Sequence, residues 1–367
     1  MFSKIAILKT ADRVIGGLAV SASGLFLDPE KTSPEKISNI LVIRPGGIGD
    51  AVLLIPSLKV LKKQFPDTNI DILAEKRNAG ILRGNKLVNS LYLYDELSPS
   101  GLLAVLKNRY DAVIDTEQWH KLTSVVSFIT KAPIRIGFNT NGRGRLYSTA
   151  VEYKQSDYES GSFLNLVSEL TGKKHRFNTK ASFLDVENLI QNKEFREYNK
   201  GFNSIVGIFP GATVKERRWG VQKFSELTEN LLNNKIGVVI LGGTNDIPDA
   251  DRICRILGRK DYLNLTGKTK LDETTAIISQ IDLLVSSDSG LMHIAYGTGT
   301  KTVSLFGVGI EEKWAPRGPG NFVINKKLAC SPCTKFGYTP GCPINVKCLN
   351  EITSGDVLNK TLEALKV

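Results

Sequence analysis

Short apolar runs bounded by Gly, Pro or polar residues recur along the chain from Ile40 onward. Such runs are typical of strands in a parallel sheet that is covered on both faces. In the first half of the chain they predict strands at residues 40–44, 70–74, 90–94, 112–115 and 134–137. In the second half they predict strands at residues 205–209, 237–241, 262–265, 281–286 and 302–306.

Longer segments with apolar residues at helical spacing lie between these runs. The clearest covers residues 50–64, and Pro56 falls inside it, where proline can bend a helix. Further helices are predicted at residues 101–108, 121–130, 162–171, 222–233, 247–257, 271–280 and 290–297. Strands that alternate with helices indicate βαβ units, so the sequence predicts the α/β fold class with parallel sheets.

The length of the chain indicates more than one domain, because 367 residues exceed what a single core usually holds. A stretch rich in Asn, Lys and Glu at residues 188–201 is the predicted boundary. We therefore predict an N-terminal extension at residues 1–36, a Rossmann-like domain at residues 37–195 and a second one at residues 196–367. Both are expected to be doubly wound and to face each other across a cleft lined by loops from the strand ends.

The extension carries apolar residues that an amphipathic helix would place together, namely Ile5, Leu8, Val14, Ile15 and Leu18. Such a helix could contact the inner leaflet of a membrane; the alternatives are a helix that packs on the domain and a frayed chain end. A transmembrane run and a convincing signal peptide are both missing from the sequence, and the few cysteines favour a cytosolic protein.

The net charge of +11 has three possible causes, which are nucleic acid, an anionic membrane or glycolipid, and an anionic small molecule. Nucleic acid is the weakest of these, because the basic residues are dispersed and no aromatic-rich RNA motif or C2H2 pattern accompanies them. The charge therefore favours an anionic substrate or lipid.

The loop after the first strand has the sequence Pro45-Gly-Gly-Ile-Gly-Asp50 and resembles a dinucleotide-binding turn. Glu75, after the next strand, stands where a ribose-binding acid would lie. However, Val52 replaces the third glycine, and Asp50 would compete with a pyrophosphate for the helix N-terminus, whose dipole is worth about 2 kcal/mol at most. We therefore predict that this loop presents the Asp50 carboxylate to a substrate, with helix capping as the alternative role.

The loop after residue 209 has the opposite charge. A Pro-Gly turn is followed by a hydroxyl and three cationic side chains before the next helix, and these groups suit a diphosphate; they are Thr213, Lys215, Arg217 and Arg218. Trp219 is expected to anchor the loop by packing. The alternative is a solvated basic loop.

A third polar segment follows residue 285 with the sequence Ser286-Ser-Asp-Ser-Gly-Leu-Met-His293. The amides of Gly290 and Leu291 and the hydroxyl of Ser289 suit a second phosphate contact at a helix start. Asp288 lies beside them. His293 could contribute to the same site or could be a buried histidine without a ligand.

Four of the five cysteines lie together near the C-terminus, as Cys330, Cys333, Cys342 and Cys348. Their spacing lacks the second tight pair that is common in structural zinc sites. A structural zinc site, a loop of reduced thiols and disulfides therefore all remain open. Cys254 is predicted to be a core residue of a helix.

Taken together, these segments make the chain resemble glycosyltransferase family 9, the ADP-heptose:lipopolysaccharide heptosyltransferases. The matching segments are residues 40–65, 207–232, 286–306 and 330–349. The resemblance implies the GT-B architecture and inverting transfer of heptose, or a related sugar, from a nucleotide diphosphate, with ADP-heptose expected. It implies a lipopolysaccharide-core or other anionic glycolipid acceptor, no essential metal, no cofactor, and a cytoplasmic enzyme in peripheral contact with the inner membrane.

The same resemblance assigns roles to individual residues. Asp50 would be the general base, and Arg44, Gly46, Gly47 and Gly49 would belong to the acceptor-side loop. The second loop would hold the diphosphate, and the segment from Asp288 to His293 would line the nucleotide-sugar site. The family usually has Lys-Arg/His-Trp-Pro where this chain has Arg217-Arg218-Trp219-Gly220, and its best-known members lack the N-terminal extension.

Two other classes of protein are weighed against this interpretation. An NAD-dependent oxidoreductase would need the missing third glycine and a first loop without Asp50. A non-catalytic protein that binds sugar nucleotides or glycolipids would not need Asp50 or the basic loop.

Overall fold

The computed structural model describes residues 12–22, 36–96, 100–187 and 190–366. It divides into two compact units, Met1–Phe177 and Asn178–Val367. The second unit thus includes residues 178–195, which the sequence analysis placed with the first domain. Among the described residues of this stretch, the Phe183 and Leu184 amides donate to the Gly297 carbonyl, and the Asn192 side chain donates to Glu273 at 2.7 Å.

Within the described residues each unit contains one six-stranded sheet, whose strands all pair in parallel. The strands of the first unit are β1 (Asn39–Arg44), β2 (Asn69–Ala74), β3 (Ser90–Leu93), β4 (Ala112–Asp115), β5 (Ile134–Phe138) and β6 (Thr149–Val151). Those of the second are β7 (Ile205–Phe209), β8 (Gly237–Ile240), β9 (Leu263–Asn264), β10 (Leu283–Ser287), β11 (Lys301–Phe306) and β12 (Asn321–Asn325).

The two sheets have the same topology. The strand order is β3-β2-β1-β4-β5-β6 in the first unit and β12-β11-β10-β7-β8-β9 in the second. Counted from its own first strand, each sheet has the order 3-2-1-4-5-6 of a Rossmann fold. The expected fold class, two Rossmann-like doubly wound α/β domains as in the GT-B class, is confirmed.

The helices alternate with the strands as predicted, and their bounds are α1 (Gly17–Ala22), α2 (Ile48–Gln64), α3 (Ala79–Leu82), α4 (Ser100–Lys107), α5 (Leu122–Ile129), α6 (Glu159–Thr171), α7 (Lys193–Asn199), α8 (Val221–Asn233), α9 (Ile247–Leu257), α10 (Leu271–Ile278), α11 (Gly290–Thr298), α12 (Glu311–Trp314), α13 (Lys347–Asn350) and α14 (Ser354–Lys366). Helix α2 continues through Pro56 to Gln64. None of the helices in the described ranges is long and apolar enough to cross a membrane.

The central strands are buried on both faces, as their continuous apolar sequences require. In the first sheet Val42 of β1 lies opposite Ile72 and Ile114. In the second, Ile208 of β7 lies opposite Ile240 and Val285. All six side chains are almost fully buried, so these strands lie in the core of each unit. The polar loops of the candidate site follow the ends of such strands.

The described part of the N-terminal extension packs on the first unit. Residues Asp12–Gly16 form a π-helical turn that continues into α1, and Val20 is buried. The Asp12 carboxylate accepts a hydrogen bond from the Leu122 amide at 2.8 Å and lies 3.5 Å from His120 Nδ1, so it caps the start of α5. Ile5 and Leu8 of the predicted helix lie outside the described residues.

Candidate active site

The predicted site residues lie at the two points where the strand order reverses. In the first unit this point is between β1 and β4, and in the second it is between β7 and β10. Ligands of open α/β sheets bind beyond the carboxyl ends of the strands at such points. We call residues 45–50, after β1, the glycine loop, and residues 210–220, after β7, the arginine loop.

Asp50 lies in the first turn of α2 and has a side chain that is 20% exposed. Its Oδ2 accepts a hydrogen bond from the Gly47 amide at 2.9 Å, and its Oδ1 lies 3.9 Å from Arg44 Nη2. The carboxylate therefore caps its own helix and also keeps an oxygen within reach of solvent. Both roles considered for Asp50 are compatible with this geometry.

The glycines let the loop fold back on this carboxylate. Gly46 has φ +104°, and a Cβ at this position would stand 3.1 Å from Arg44 Nη2 and 3.2 Å from Asp50 Oδ2. A Cβ on Gly47 would stand 3.3 Å from the same Asp50 oxygen. A side chain at Gly46 would thus be strained by both the backbone angle and the close contacts.

Arg44 links the glycine loop to the loop after β4. Its side chain is 1% exposed, it donates to the carbonyls of Pro45 and Thr116, and it lies over the ring of Phe163. These hydrogen bonds fix the position of the Arg44 guanidinium. Because its Nη2 lies 3.9 Å from Asp50 Oδ1, Arg44 is positioned to hold Asp50 in place.

Glu75, at the end of β2, is bonded to the glycine loop. Its Oε1 accepts from the Gly46 amide at 3.2 Å and from the Tyr94 hydroxyl at 2.5 Å, and its Oε2 accepts from Arg77. The dinucleotide interpretation would need this carboxylate for a ribose. In this structure the Glu75 carboxylate instead accepts hydrogen bonds from three donors of the chain itself.

A buried polar cluster holds the loop after β4. Asp115 and Arg143 are fully buried and form an ion pair of 2.7 Å, and the Tyr147 hydroxyl donates to Asp115 at 2.6 Å. Arg143 also donates to the Glu117 carbonyl. Glu117 Oε1 in turn accepts from the amides of Trp119 and His120. This cluster fixes the backbone next to the glycine loop.

Neighbouring groups of opposite charge shift the pKa values of Glu117 and Arg143 in this cluster. Burial alone would raise the pKa of Glu117, but the guanidinium groups of Arg143 and Arg44 outweigh it and lower the pKa below its ordinary value. Burial would lower the pKa of Arg143, but Asp115 and its other neighbours raise it overall. The shifts of Glu117 and Arg143 therefore both favour the charged form of the side chain.

In the second unit Arg217 and Asp288 meet at 3.0 Å, although 71 positions separate them in the sequence. Arg217 ends a 3-10 turn of the arginine loop, and Asp288 follows β10. Arg217 Nε is buried and has no hydrogen-bond partner in the described part of the chain. A buried donor of this kind suits a ligand oxygen. Thr213 and Lys215 of the same loop are exposed.

Arg218 and Trp219 hold the arginine loop rather than project from it. Arg218 donates to the Ala212 carbonyl and pairs with Asp249 of α9 at 3.0 Å. Trp219 is 1% exposed, and its Nε1 donates to the Ile352 carbonyl at 2.9 Å. The predicted anchoring role of Trp219 is confirmed.

Gly220 explains the departure from the family motif. Its φ of +112° lies in the region that only glycine adopts without strain, and α8 starts at the next residue. Proline, which the family usually has here, is restricted to φ near −65°. The backbone of this chain at residue 220 is therefore specific to glycine.

Helix α11 starts at the segment that follows β10. Ser289 caps it by accepting from the Met292 amide, and its hydroxyl also lies 2.7 Å from Ser286 Oγ. The first amides of the helix, including those of Gly290 and Leu291, have no acceptor within the helix because of the geometry of any helix start. His293 is 3% exposed and packs edge-on against Trp314. The segment thus offers backbone donors beside Asp288.

The cysteines are free thiols, so the disulfide alternative is wrong for this structure. Among the described residues, no group of three or more His, Cys, Asp or Glu side chains is arranged to hold a metal ion. Neighbouring thiols and, above all, burial raise the pKa of Cys333 and of Cys348. Cys254 is half-buried against the core of the second unit.

Two doubly wound domains, with a carboxylate at the switch point of one and a cationic loop at that of the other, match the GT-B class of glycosyltransferases. A profile of Glycosyltransferase family 9 (heptosyltransferase) matches residues 102–340. The chain belongs to this family.

Individual relatives agree with this assignment. The lipooligosaccharide heptosyltransferase 2 of Haemophilus influenzae is 26% identical over 289 residues, which cover 73% of this chain and 83% of that protein. A family 9 glycosyltransferase structure from Veillonella parvula superposes with a TM-score of 0.72 at 20% identity, covering 92% and 99% of the two chains. The Escherichia coli ADP-heptose lps heptosyltransferase II gives 0.70 at 22% identity, covering 89% and 98%. The last two show the same fold.

Proposed function

We propose that this chain is an inverting, metal-independent heptosyltransferase. It would transfer heptose from ADP-heptose to a lipopolysaccharide-core or related anionic glycolipid. The observation that carries the proposal is the division of charge between the switch points, with Asp50 in the first unit and Arg217 in the second. The names of the relatives, lipooligosaccharide heptosyltransferase 2 and ADP-heptose lps heptosyltransferase II, support the choice of donor and acceptor.

Arg217 would bind the diphosphate of the donor. Its buried Nε has no hydrogen-bond partner in the described part of the chain, and Asp288 holds the guanidinium in position. Thr213, Lys215 and the first amides of α11 would add further donors at a helix start. As the bond to the sugar breaks, negative charge grows on the diphosphate, and preorganised donors stabilise that charge. Asp288, Ser289 and His293 would line the same site. Arg218 would keep the arginine loop in its conformation through its bonds to Ala212 and Asp249.

Asp50 would take the proton from the acceptor hydroxyl. An oxygen of its carboxylate is accessible, and its bond to the Gly47 amide fixes its direction. The hydroxyl oxygen attacks the anomeric carbon on the face opposite to the leaving diphosphate, so the configuration inverts. Each atom in this step comes from the donor, the acceptor or Asp50.

A transfer assay tests the proposal directly. Purified protein is incubated with ADP-heptose and a deacylated lipopolysaccharide-core acceptor, and the anomeric configuration of the product is determined by NMR. We expect transfer with inversion and the same rate in excess EDTA. UDP-, GDP- and CDP-linked sugars serve as controls. A lack of turnover with every donor would contradict the enzymatic proposal, and activity that disappears with EDTA would contradict metal independence.

We also propose that the N-terminal segment contacts an anionic membrane surface. Val14 and Leu18 are 52% and 68% exposed, and Ile129 at the end of the neighbouring helix α5 is 50% exposed. Lys131 is also exposed beside Ile129. Apolar side chains next to a cation are typical of interfacial segments. The docked Val20 and Asp12 would hold this segment at the surface of the first unit.

Leu18→Glu is expected to reduce binding of the full chain to vesicles that contain phosphatidylglycerol, because a carboxylate would replace an inserted side chain. Co-sedimentation measures the bound fraction, and we expect a decrease of several-fold. Ile256→Glu is the control, since Ile256 is 48% exposed in the second unit. Equal retention of both variants, or equal binding to neutral phosphatidylcholine vesicles, would contradict the membrane proposal.

A further inference from the structure

Arg77 is a guanidinium fixed beside the glycine loop. Its side chain is 55% exposed, and its Nε donates to Glu75 Oε2. Partial burial acts to lower the pKa of Arg77, but the carboxylates of Glu75 and Asp50 outweigh it and raise the pKa. Glu75 also accepts a hydrogen bond from the Gly46 amide, so its carboxylate places the Arg77 guanidinium beside the loop that carries Asp50.

Glu75 gives this arginine a defined position. The same carboxylate accepts from the Gly46 amide and from the Tyr94 hydroxyl, so the arginine and the glycine loop share one anchor. An exposed arginine on a flexible stem would lose considerable rotamer freedom on binding. Here the anchor has already removed much of that freedom.

The bond to Glu75 uses only one side of the guanidinium. In the described part of the chain, no hydrogen bond or ion pair is formed by the terminal nitrogens Nη1 and Nη2 of Arg77. Two parallel N–H groups of this kind match the two oxygens of a phosphate or a carboxylate. The Nη1 and Nη2 groups of Arg77 can therefore bind one anionic group together.

We infer that Arg77 binds an anionic group, phosphate or carboxylate, on the sugar acceptor and thereby places the acceptor hydroxyl at Asp50. The inference rests on the proposed function, because it assigns the acceptor to this unit. Arg77 is then a specificity residue that selects acceptors carrying an anion near the reacting hydroxyl. Glu75 is its positioning residue and couples the bound anion to the loop that carries the base.

The test compares wild type with Arg77→Gln on an anionic acceptor and on two analogues of it, one dephosphorylated and one with its carboxylates converted to amides. A charged hydrogen bond is worth about 1.5–3 kcal/mol, so we expect the acceptor KM of Arg77→Gln to rise about 10- to 150-fold. The KM for the donor should stay unchanged. On the analogue that lacks the recognised group, wild type and variant should have the same acceptor KM, which identifies the anion as phosphate or carboxylate.

Two variants serve as controls. Arg109→Gln removes an exposed arginine that precedes β4. It lies at the amino ends of the strands of the same sheet, whereas Arg77 lies at their carboxyl ends, so this variant should change neither KM. Arg77→Lys keeps the charge without the fork and should recover only part of the acceptor affinity. Thermal unfolding of each variant at the wild-type temperature shows that folding is intact.

Direct binding of the acceptor, measured by calorimetry without donor, separates this inference from the proposed function. Weaker binding by Arg77→Gln than by wild type supports the inference even if no turnover is found with the chosen donor. Equal binding by both proteins overturns it, whether or not transfer occurs. A KM that rises by the same factor on every acceptor analogue also overturns it, because Arg77 would then act only through the shape of the loop.

Discussion

Replacing Asp50 by asparagine is expected to lower the rate of sugar transfer about 10²- to 10⁴-fold, the usual contribution of a general base. Asparagine keeps an oxygen that can accept the Gly47 amide bond, so the helix cap is preserved while the basic group is lost. Single-turnover transfer measures the rate, and calorimetry with ADP measures nucleotide affinity, which should stay at the wild-type value.

The asparagine variant also separates the two roles of Asp50. If the carboxylate served only as a cap, Asp50→Asn would transfer sugar at nearly the wild-type rate, and the assignment of the base would be wrong. Asp50→Ala should lose the cap as well, with an additional loss of stability of about 1 kcal/mol in urea unfolding.

Replacing Arg143 by methionine should destabilise the protein by about 3–5 kcal/mol, because it leaves the buried Asp115 carboxylate without its charged partner. Methionine fills much of the same space, so the loss reports the uncompensated charge rather than a large cavity. Urea unfolding followed by circular dichroism measures the change. Arg145→Met is the matched control, since Arg145 is exposed in the same 3-10 turn.

The same variant should shift acid unfolding. Arg143 lowers the pKa of Glu117 in the folded protein, so this acid stabilises the fold above its ordinary pKa of about 4.3 and loses that contribution as the pH falls. Without Arg143, burial acts with less opposition and raises the folded pKa. The midpoint of acid unfolding should therefore move to higher pH. An unchanged midpoint together with an unchanged urea midpoint would contradict the importance of this ion pair.

The sequence predicted the central elements well because their signals are local. Strands at residues 112–115 and 205–209 and the helix at residues 247–257 have the predicted bounds, since apolar runs or helical periodicity end there at clear breaks. The edge strands β6 and β12 were not predicted. Their residues are half-buried or exposed and show no clean alternation, so neither pattern marks them as strands.

The C-terminal helix α14 was also missed, although a signal for it existed. Its buried residues Val357, Thr361 and Ala364 recur at helical spacing, and Ser354 and Asp356 stand in its first turn. A search for that periodicity would have found it.

The chemistry of the site was predictable only where it follows a strand end. Asp50, Arg217 and Asp288 could be proposed as site residues because parallel strands place the residues that follow them at one edge of their sheet. The partners that hold them depend on register and on contacts far apart in the chain. The pairing of Arg217 with Asp288, the bond from Glu75 to Gly46 and the cluster around Asp115 gave no local signal, so Arg77 and Tyr94 were not recognised.

The backbone angle at Gly220 limits which residues can replace this glycine. An alignment would count glycine in place of proline at the end of the Arg-Arg-Trp motif as one exchange. With φ at +112°, however, introducing proline would require the chain to rotate at the start of α8, beside the anchored Trp219. A proline at residue 220 would therefore need a backbone conformation of the arginine loop different from the one that this chain has.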